Sequence, residues 1–323
     1  MNSNDQKDAP ATGSHSAPRG VWVAALTPLT ADLAPDTARL IAHCRWLLGR
    51  GANGLAVLGT TGEANSLSVA DKLALMDAMA EAGLPGSALL PGTGTCSLAD
   101  TVTLTRKAVE IGAAGVIMLP PFYYKGVSDE GLYASYSEVV QRVGDSRLKV
   151  YFYHFPQQSA TPISHDLMER LIKAYPDTMA GIKDSSGNLD NMVAMCRRFP
   201  GFGVFAGSEQ FLLPVLRAGG VGCISASANV TVSACADLLR AHDAGDAAAT
   251  DAAQERITAW RLALQSEPMI AGLKALIAGR RNAPDWNRLL PPNLPLDAEG
   301  HARLVAALEA VEYPFDELAE QAA

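Results

Sequence analysis

The sequence lacks the cysteine and histidine patterns of metal-binding and disulfide-stabilised proteins. Its five cysteines are odd in number and scattered, with no C-x-x-C pair, at Cys44, Cys96, Cys196, Cys223 and Cys235. The six histidines include no H-E-x-x-H motif and no close pair. A cysteine-based zinc site is therefore not expected, and a reducing, cytoplasmic setting fits this cysteine usage best.

The chain also lacks an excess of positive charge and a long apolar run. Its 26 Lys and Arg residues face 34 Asp and Glu residues, for a formal net charge of −8. This balance argues against nucleic acid or an anionic membrane as the main partner, and no apolar run is long enough to span a bilayer. Residues 1–19 have no apolar centre and are rich in Ser, Ala, Asp and Pro, so we expect a flexible N-terminal tail rather than a signal peptide.

From Val21 onward, short apolar runs alternate with longer amphipathic ones. Eight strand–helix units in series predict a closed (β/α)8 TIM barrel over residues 20–244, and no G-x-G-x-x-G opens the first helix as a Rossmann domain requires. The predicted strands are Val21–Leu26, Gly54–Leu58, Ala88–Leu90, Gly115–Leu119, Leu148–Tyr153, the strand around Lys183, Gly203–Ala206 and Gly222–Ser225. Residues 245–323 carry no strand signal, and we expect a C-terminal helical extension packed on the barrel.

The strand that precedes Lys183 is the most informative stretch. Ala180, Gly181 and Ile182 are small or apolar, as a strand buried on both faces requires, and the segment 184–187 is typical of a turn. A lysine delivered to the end of such a strand loses hydration, which disfavours its charged form and makes the amine nucleophilic. Such an amine can form a Schiff base with a carbonyl substrate, whereas a lysine that reaches solvent or pairs with Asp184 is the purely structural alternative.

Polar clusters follow most of the other predicted strands, and a barrel brings all strand ends to one rim. The turn Gly59-Thr60-Thr61-Gly62 can point N–H groups at a carboxylate, or it can simply be a tight turn. Tyr153 ends the fifth strand, where a phenol can move protons or can be a buried structural tyrosine. Gly207 and the glycines of 219–222 raise another possibility, the phosphate cradle of a flavin or phosphate-ligand barrel, although no basic residue accompanies them.

Taken together, these clusters resemble a known family, the dihydrodipicolinate synthase/N-acetylneuraminate lyase family of pyruvate-dependent class I aldolases. Each match is weak alone, but their common order and spacing from the first strand to the eighth are specific. The matching segments are Leu26–Pro28, Gly59–Glu63, Gly92–Gly94, Pro120–Tyr124, Glu130–Tyr133, Tyr153–Pro156, Gly181–Asp184, Ala206–Ser208 and Gly222–Ser225.

The resemblance implies a role for individual residues. Lys183 would capture pyruvate or a 2-keto acid as an imine, and Tyr153 would shuttle protons. Thr60 and Thr61 would bind the pyruvate carboxylate, with Thr60 also hydrogen-bonded to Tyr153. Tyr123, or Tyr124 if the loop register differs, would be lent by a neighbouring subunit of a tetramer built as a dimer of dimers. Gly207 and Ile224 would line the pocket around the imine, and the resemblance implies neither a metal nor a cofactor.

One departure from the family pattern bears on the substrate. Dihydrodipicolinate synthases place an arginine two residues after the proline of the tyrosine motif, where this chain has Gln158. A glutamine cannot supply the bidentate cationic clamp of an arginine. The loop Lys125–Ser128 also looks one residue longer, which is more similar to the sialate lyases and the 2-keto-3-deoxy sugar-acid aldolases. Gln157 and Gln158 suit hydroxyl groups or an amide better than a second carboxylate.

The sequence therefore predicts a class I aldolase that cleaves or condenses a 2-keto acid to or from pyruvate and an aldehyde. Substrates of the 2-keto-3-deoxy sugar acid or 4-hydroxy-2-oxo acid type fit best. The first alternative is a dihydrodipicolinate synthase with altered recognition of its semialdehyde. The alternatives from other classes are the flavin or phosphate-ligand barrel and a non-catalytic protein that binds keto acids.

Overall fold

A parallel sheet of seven strands curls around the centre of the molecule in the computed structural model, which describes residues 18–318. The strand order is β2-β1-β7-β6-β5-β4-β3, and every pairing is parallel. The strands are β1 (Gly20–Val23), β2 (Gly54–Leu55), β3 (Val116–Met118), β4 (Val150–His154), β5 (Met179–Asp184), β6 (Gly203–Ala206) and β7 (Gly222–Ser225).

The ring closes through the segment 89–93 rather than through a regular eighth strand. Leu89 forms a parallel bridge with Leu55 of β2, and Gly92 forms one with Ile117 of β3. The predicted strand Ala88–Leu90 was wrong in its bounds, because Gly86–Ala88 forms a 3-10 turn. Pro91 interrupts this segment, and a proline has no N–H to donate to a ladder. Isolated bridges on both sides still complete the barrel, so the predicted (β/α)8 architecture is confirmed.

Helices follow the strands as the amphipathic pattern predicts. Side-chain N-caps fix several starts: Ser68, Ser97, Ser128 and Ser164 each accept a hydrogen bond from the backbone three residues on. The helices are α1 (Thr37–Gly49), α2 (Val69–Glu81), α3 (Leu98–Glu110), α4 (Asp129–Val143), α5 (Pro156–Ser159), α6 (His165–Ala174), α7 (Leu189–Arg198), α8 (Leu212–Arg217), α9 (Ala228–Asp243), α10 (Ala247–Leu264), α11 (Met269–Arg280) and α12 (Ala298–Glu309). The short helix α5 was not predicted.

Side chains alternate between two apolar cores along the strands, as the two-residue period of a strand requires. One core fills the barrel interior and contains Trp22, Ala24, Ala56, Leu90, Ile117, Tyr151, Tyr153, Phe205 and Ile224. The larger core lies between the strands and the helices and includes the neighbours Val23, Phe152 and Cys223. Tyr153 therefore faces the inside of the barrel.

The three helices α10, α11 and α12 form the predicted C-terminal extension. Ile257, Trp260 and Leu273 are buried in the same core as the barrel helices. A fully buried ion pair also joins the two parts, because Lys274 Nζ of α11 lies 2.5 Å from Glu63 Oε1 in the turn after β2. The Glu63 carboxylate accepts a second hydrogen bond from the Leu290 amide at 2.7 Å. The boundary between 244 and 245 remains a prediction.

Two sequence-based expectations concern the ends of the chain. The predicted flexible tail, residues 1–19, lies outside the described residues except for Pro18 and Arg19, and Arg19 pairs with Asp243 at 2.5 Å. Residues 319–323 also lie outside. Within residues 18–318, no helix is both long enough and apolar enough to cross a membrane.

Candidate active site

Lys183 and Tyr153 project into the barrel from two neighbouring strands. They are register partners on β5 and β4, and Lys183 Nζ lies 4.4 Å from the centre of the Tyr153 ring. Both side chains are close to the carboxyl ends of their strands and are almost completely buried, with 6% and 5% exposure. A buried amine is thus held against a buried phenol by the sheet itself.

Thr60 joins this pair from the turn after β2. Its hydroxyl lies 3.3 Å from the Tyr153 hydroxyl, and either group can be the donor. The turn is tightened by hydrogen bonds from the Glu63 amide to the Thr60 carbonyl and from the Ala64 amide to the Gly59 carbonyl. Among the described residues, no acceptor meets the backbone N–H groups of Thr60 and Thr61. Unpaired backbone N–H groups of this kind can bind an anion.

Gly207 brings the loop after β6 against the strand that carries Lys183. Its amide donates to the Asp184 carbonyl at 2.7 Å. A Cβ atom at Gly207 would lie 2.2 Å from Ser185 Oγ and 2.7 Å from the Asp184 carbonyl oxygen, so a side chain there would displace backbone. A glycine at this position therefore allows the loop after β6 to pack against the end of β5.

A cleft of about 1020 Å³ opens above these residues. Thr60, Thr61, Tyr153, Lys183 and Gly207, all predicted from the sequence, lie on its wall. Gln157 and Gln158 of α5 line it too, and Gln157 Nε2 donates to the Ser186 carbonyl at 2.6 Å. The cleft therefore brings together most of the predicted site.

Three predicted residues lie elsewhere. Gly59 lines a smaller cavity that adjoins Thr60, Tyr153 and Lys183. Ile224 is fully buried in the interior core beneath the cleft, where it packs in the same cluster as Tyr153. Tyr123 does not line the cleft of its own chain: it is 73% exposed and forms an edge-to-face pair with Tyr124, which is 71% exposed.

The opposite faces of β4 and β5 carry a second polar group. His154 and Asp184, the next residues after Tyr153 and Lys183, are register partners. The Asp184 carboxylate accepts from the Ser186 amide and from Asn191 Nδ2, each at 2.7 Å, and His154 Nδ1 accepts from the Ile163 amide at 3.2 Å. Burial lowers the pKa of His154, although the nearby Asp184 charge opposes this shift. These hydrogen bonds hold the ends of β4 and β5 in place on the faces opposite Tyr153 and Lys183.

The C-terminal extension contributes a wall of the cleft that the sequence did not predict. Its polar lining residues are Arg261, Gln265, Glu267, Asn293, Asp297 and Arg303. The amphipathic pattern marks which face of a helix is apolar, but it gives no sign of where that helix docks. The rule that barrel sites lie on the strand–helix loops also directs attention away from these helices.

The glycine-rich loop 219–222 does not lie beside the cleft. It leads into the amino end of β7, at the rim opposite the one that carries Lys183. Gly207, the other part of the alternative phosphate cradle, is packed against Ser185 and Asp184. The alternative in which these glycines jointly form a phosphate cradle is therefore wrong for this chain.

Comparisons with known proteins identify the family of this chain. The model of the dihydrodipicolinate synthetase family matches residues 17–311. A protein of Chloroflexus aurantiacus named as an uncharacterized DapA-like lyase is 33% identical over 302 residues, which cover 91% of this chain and 97% of that protein.

Two solved structures share the fold at modest identity. Dihydrodipicolinate synthase from Agrobacterium tumefaciens has a TM-score of 0.83 and 27% identity over 91% of this chain and 99% of that one. YagE, a prophage protein of the dihydrodipicolinic acid synthase family from E. coli K12 solved in complex with pyruvate, has a TM-score of 0.82 and 26% identity over 91% and 99%. The predicted enzyme class, an aldolase or lyase of this family, is confirmed. The chain belongs to the dihydrodipicolinate synthetase family.

Proposed function

We propose that this protein is a class I aldolase that forms a Schiff base between Lys183 and a 2-keto acid. It interconverts a 4-hydroxy-2-keto acid with pyruvate and an aldehyde. The observation that carries the proposal is the triad of side chains at the floor of the cleft: the Lys183 amine 4.4 Å from the Tyr153 ring centre, and the Tyr153 hydroxyl 3.3 Å from Thr60 Oγ1.

Lys183 supplies the nucleophile and the electron sink. Its amine adds to the C2 carbonyl, water leaves, and a protonated imine forms. In the cleavage direction the C3–C4 bond then breaks, and its electron pair moves into the imine to give an enamine while the 4-hydroxyl becomes the aldehyde carbonyl. Protonation of the enamine at C3 and hydrolysis of the imine release pyruvate and restore the free amine.

Tyr153 is the group that exchanges protons with the substrate in this proposal. Its hydroxyl is buried and shares a hydrogen bond with Thr60, so a proton can pass between the two oxygens. In cleavage the tyrosine accepts the proton of the 4-hydroxyl, and in condensation it returns that proton to the new alkoxide.

The turn after β2 would bind the keto acid's carboxylate. The N–H groups of Thr60 and Thr61 have no acceptor among the described residues, and both residues line the cleft that contains Lys183. A carboxylate there would satisfy both donors and hold C2 beside the amine. This arrangement supports pyruvate as the shared substrate.

The remainder of the substrate would extend toward α5. Gln157 and Gln158 line the cleft with neutral amides, which suit the hydroxyl groups of a 2-keto-3-deoxy sugar acid or a 4-hydroxy-2-oxo acid. The first alternative, a dihydrodipicolinate synthase with altered semialdehyde recognition, would need a cation from another element in place of the missing arginine.

We also propose that the active form is a homotetramer in the cytoplasm, in which Tyr123 reaches the site of a neighbouring chain. The support is the exposure of the Tyr123–Tyr124 pair, because large aromatic side chains at a surface favour an interface. Sedimentation analysis of the purified protein would test the oligomeric state.

The test of the mechanism is borohydride trapping with pyruvate, followed by intact-mass measurement and peptide mapping. We expect one reduced pyruvyl group on the peptide that contains Lys183 and none on the peptide that contains Lys72, a second buried lysine that borders the adjoining cavity. The Lys183→Ala variant should give no adduct while keeping the wild-type circular dichroism spectrum.

Two other outcomes would separate the alternatives. An adduct on Lys72 or no adduct at all would overturn the Schiff-base mechanism. An adduct on Lys183 without turnover of any aldehyde or 2-keto acid would favour a non-catalytic keto-acid-binding protein.

A further inference from the structure

Arg261 is a cation that faces the cleft without a carboxylate partner. Three cationic residues line the cleft: Lys183, Arg261 and Arg303. Arg303 Nε donates to the Glu267 carboxylate at 2.7 Å, so its charge is neutralised locally. Within the described part of the chain, no carboxylate lies within ion-pair distance of the Arg261 guanidinium. Its location in the last turn of α10 places it on the wall contributed by the extension.

Neutral groups hold this guanidinium in place. Arg261 NH1 donates to Ser227 Oγ at 2.6 Å and approaches Met269 Sδ at 3.9 Å. With the Gln265 amide turned so that both of its ends are satisfied, the Gln265 oxygen accepts from Nε at 3.3 Å and from NH2 at 3.1 Å. These partners orient the fork of N–H groups, but none of them cancels its charge.

Within residues 18–318, two hydroxyl groups connect Arg261 to the Glu209 carboxylate. Ser227 Oγ lies 3.3 Å from Ser225 Oγ, and the latter donates to the fully buried Glu209 carboxylate. Thr231 Oγ1 donates to the other Glu209 oxygen at 3.0 Å. Glu209 therefore has its own hydrogen-bond donors and does not pair directly with Arg261. This chain of hydroxyl groups helps to hold the guanidinium in its orientation.

Arg261 and Lys183 line the same cleft, and the charges of both act on one buried thiol. Burial raises the pKa of Cys223 on β7, the Glu209 charge adds to this shift, and the cations of Arg261 and Lys183 oppose it. Because Lys183 and Arg261 line the same cleft, a substrate bound covalently to Lys183 can extend toward Arg261.

We infer that Arg261 binds a second carboxylate at the far end of the 2-keto acid, so that the substrate is a dicarboxylic 2-keto acid and its aldehyde fragment carries an acid group. This inference rests on the proposed Schiff-base function and deepens it. The first carboxylate is assigned to the Thr60–Thr61 turn, and one guanidinium matches a planar monoanion better than a phosphate dianion. Gln157 and Gln158 remain available for hydroxyl groups between the two acid groups.

The inference gives a different significance to Gln158, which stands where dihydrodipicolinate synthases have an arginine. Gln158 removes a cation from the loop after β4, yet the cleft retains one on the C-terminal extension. A charge in a different place selects a different substrate length and shape. Arg261, on the wall that the sequence did not predict, would therefore decide specificity.

The test compares two 2-keto acids of equal chain length in borohydride trapping on Lys183. One is 2-oxoglutarate, which has a distal carboxylate, and the other is 2-oxopentanoate, which has a methyl group there; 2-oxoadipate adds a longer diacid. The readout is the concentration that gives half-maximal adduct, measured for wild type, Arg261→Gln, Arg261→Lys and Arg303→Gln. Pyruvate, which has no distal group, serves as the reference in every protein.

We expect wild type to trap at least one diacid at a concentration about tenfold to a hundredfold lower than 2-oxopentanoate, the range for hydrogen bonds to charged groups. Arg261→Gln should lose this preference while its pyruvate trapping stays within about twofold of wild type, the criterion we set for an intact site. Arg261→Lys should recover part of the preference, because it restores the charge without the fork. Arg303→Gln should keep the preference in full.

Two results would overturn the inference and leave the Schiff-base proposal intact: pyruvate trapping in wild type without any preference for a diacid, or a diacid preference that survives in Arg261→Gln. Loss of pyruvate trapping in Arg261→Gln would also overturn it, since the residue would then support the catalytic floor rather than the distal end. Absence of every adduct in wild type would instead remove the proposed function, and the inference with it.

Discussion

Tyr153 and Lys183 occupy paired positions on adjacent parallel strands, and the Lys183 nitrogen lies over the Tyr153 ring at 4.4 Å from its centre. Strand pairing fixes this separation, so no loop has to close to bring the amine and the phenol together. The ring also offers its electron-rich face to the ammonium form of the lysine. One side chain therefore serves both as a contact for the amine and as the support of a hydroxyl group that can transfer protons.

Tyr153→Phe separates these two contributions, because it keeps the ring and removes the hydroxyl. We expect pyruvate to be trapped on Lys183 after long incubation, whereas kcat for aldol cleavage falls about 10²- to 10⁴-fold, the usual contribution of a general acid–base. Steady-state kinetics and trapping should be measured on the same preparation. Wild-type kcat in this variant would show that another group moves the protons.

The two exposed tyrosines offer a matched pair of variants. If Tyr123 completes a neighbouring chain's proton relay, Tyr123→Phe should lower kcat at least tenfold with an unchanged oligomeric state, while Tyr124→Phe should retain at least half of the activity. Both changes remove one hydroxyl from side chains that are more than 70% exposed in the single chain. The reverse pattern would exchange the two assignments, and two inactive or two active variants would contradict the proposed lending of a single hydroxyl.

The sequence predicted the barrel because each of its units combines a short apolar run with a longer amphipathic one, and these patterns depend on local burial. It failed at the third strand, where Ala88 and Leu90 are apolar but Pro91 removes a ladder donor and Gly86–Ala88 closes into a 3-10 turn. Periodicity measures which residues face a core. It does not report where a proline breaks the ladder.

The candidate site was likewise predictable from the sequence only in part. Residues at strand ends, such as Lys183 and Thr60, were predictable because a barrel collects all strand ends at one rim. Arg261 was not, since its place on the cleft wall depends on how α10 docks, which no local pattern specifies. The proposed partner of Tyr123 would belong to a second chain, so one sequence alone cannot identify it.

The buried ion pair between Glu63 and Lys274 should be a sensitive link between the barrel and its extension. Lys274→Met would leave the Glu63 carboxylate buried with the Leu290 amide as its remaining donor, at a cost of about 3–5 kcal/mol in the free energy of unfolding. The double variant Glu63→Gln/Lys274→Met should recover part of that loss, because no uncompensated charge remains. Urea denaturation of both variants measures the difference, and equal stabilities for the two would contradict this account.

His43 should make the stability of the protein depend on pH. The residue is fully buried, its Nε2 lies 2.9 Å from Asn229 Oδ1, and Arg281 NH1 lies 3.5 Å from its Nδ1. The Asn229 amide nitrogen donates to the Ala24 carbonyl, so its oxygen faces the histidine and Nε2 carries the proton. Burial, reinforced by the Arg281 charge, lowers the pKa of His43 from 6.5 to about 3.

The sign of the effect follows from proton uptake. Below pH 6.5 the unfolded chain binds a proton at His43 that the folded chain refuses until about pH 3, so the free energy of unfolding falls as the pH drops through this interval. Above pH 6.5 the histidine is neutral in both states and its contribution is complete. Between pH 7 and pH 5 the loss from this one group should be about 2 kcal/mol. Urea denaturation at both pH values should therefore show a smaller loss for His43→Gln than for wild type, by about that amount. Equal losses in the two proteins would mean that His43 titrates alike in the folded and unfolded chains, contrary to its buried position between Asn229 and Arg281.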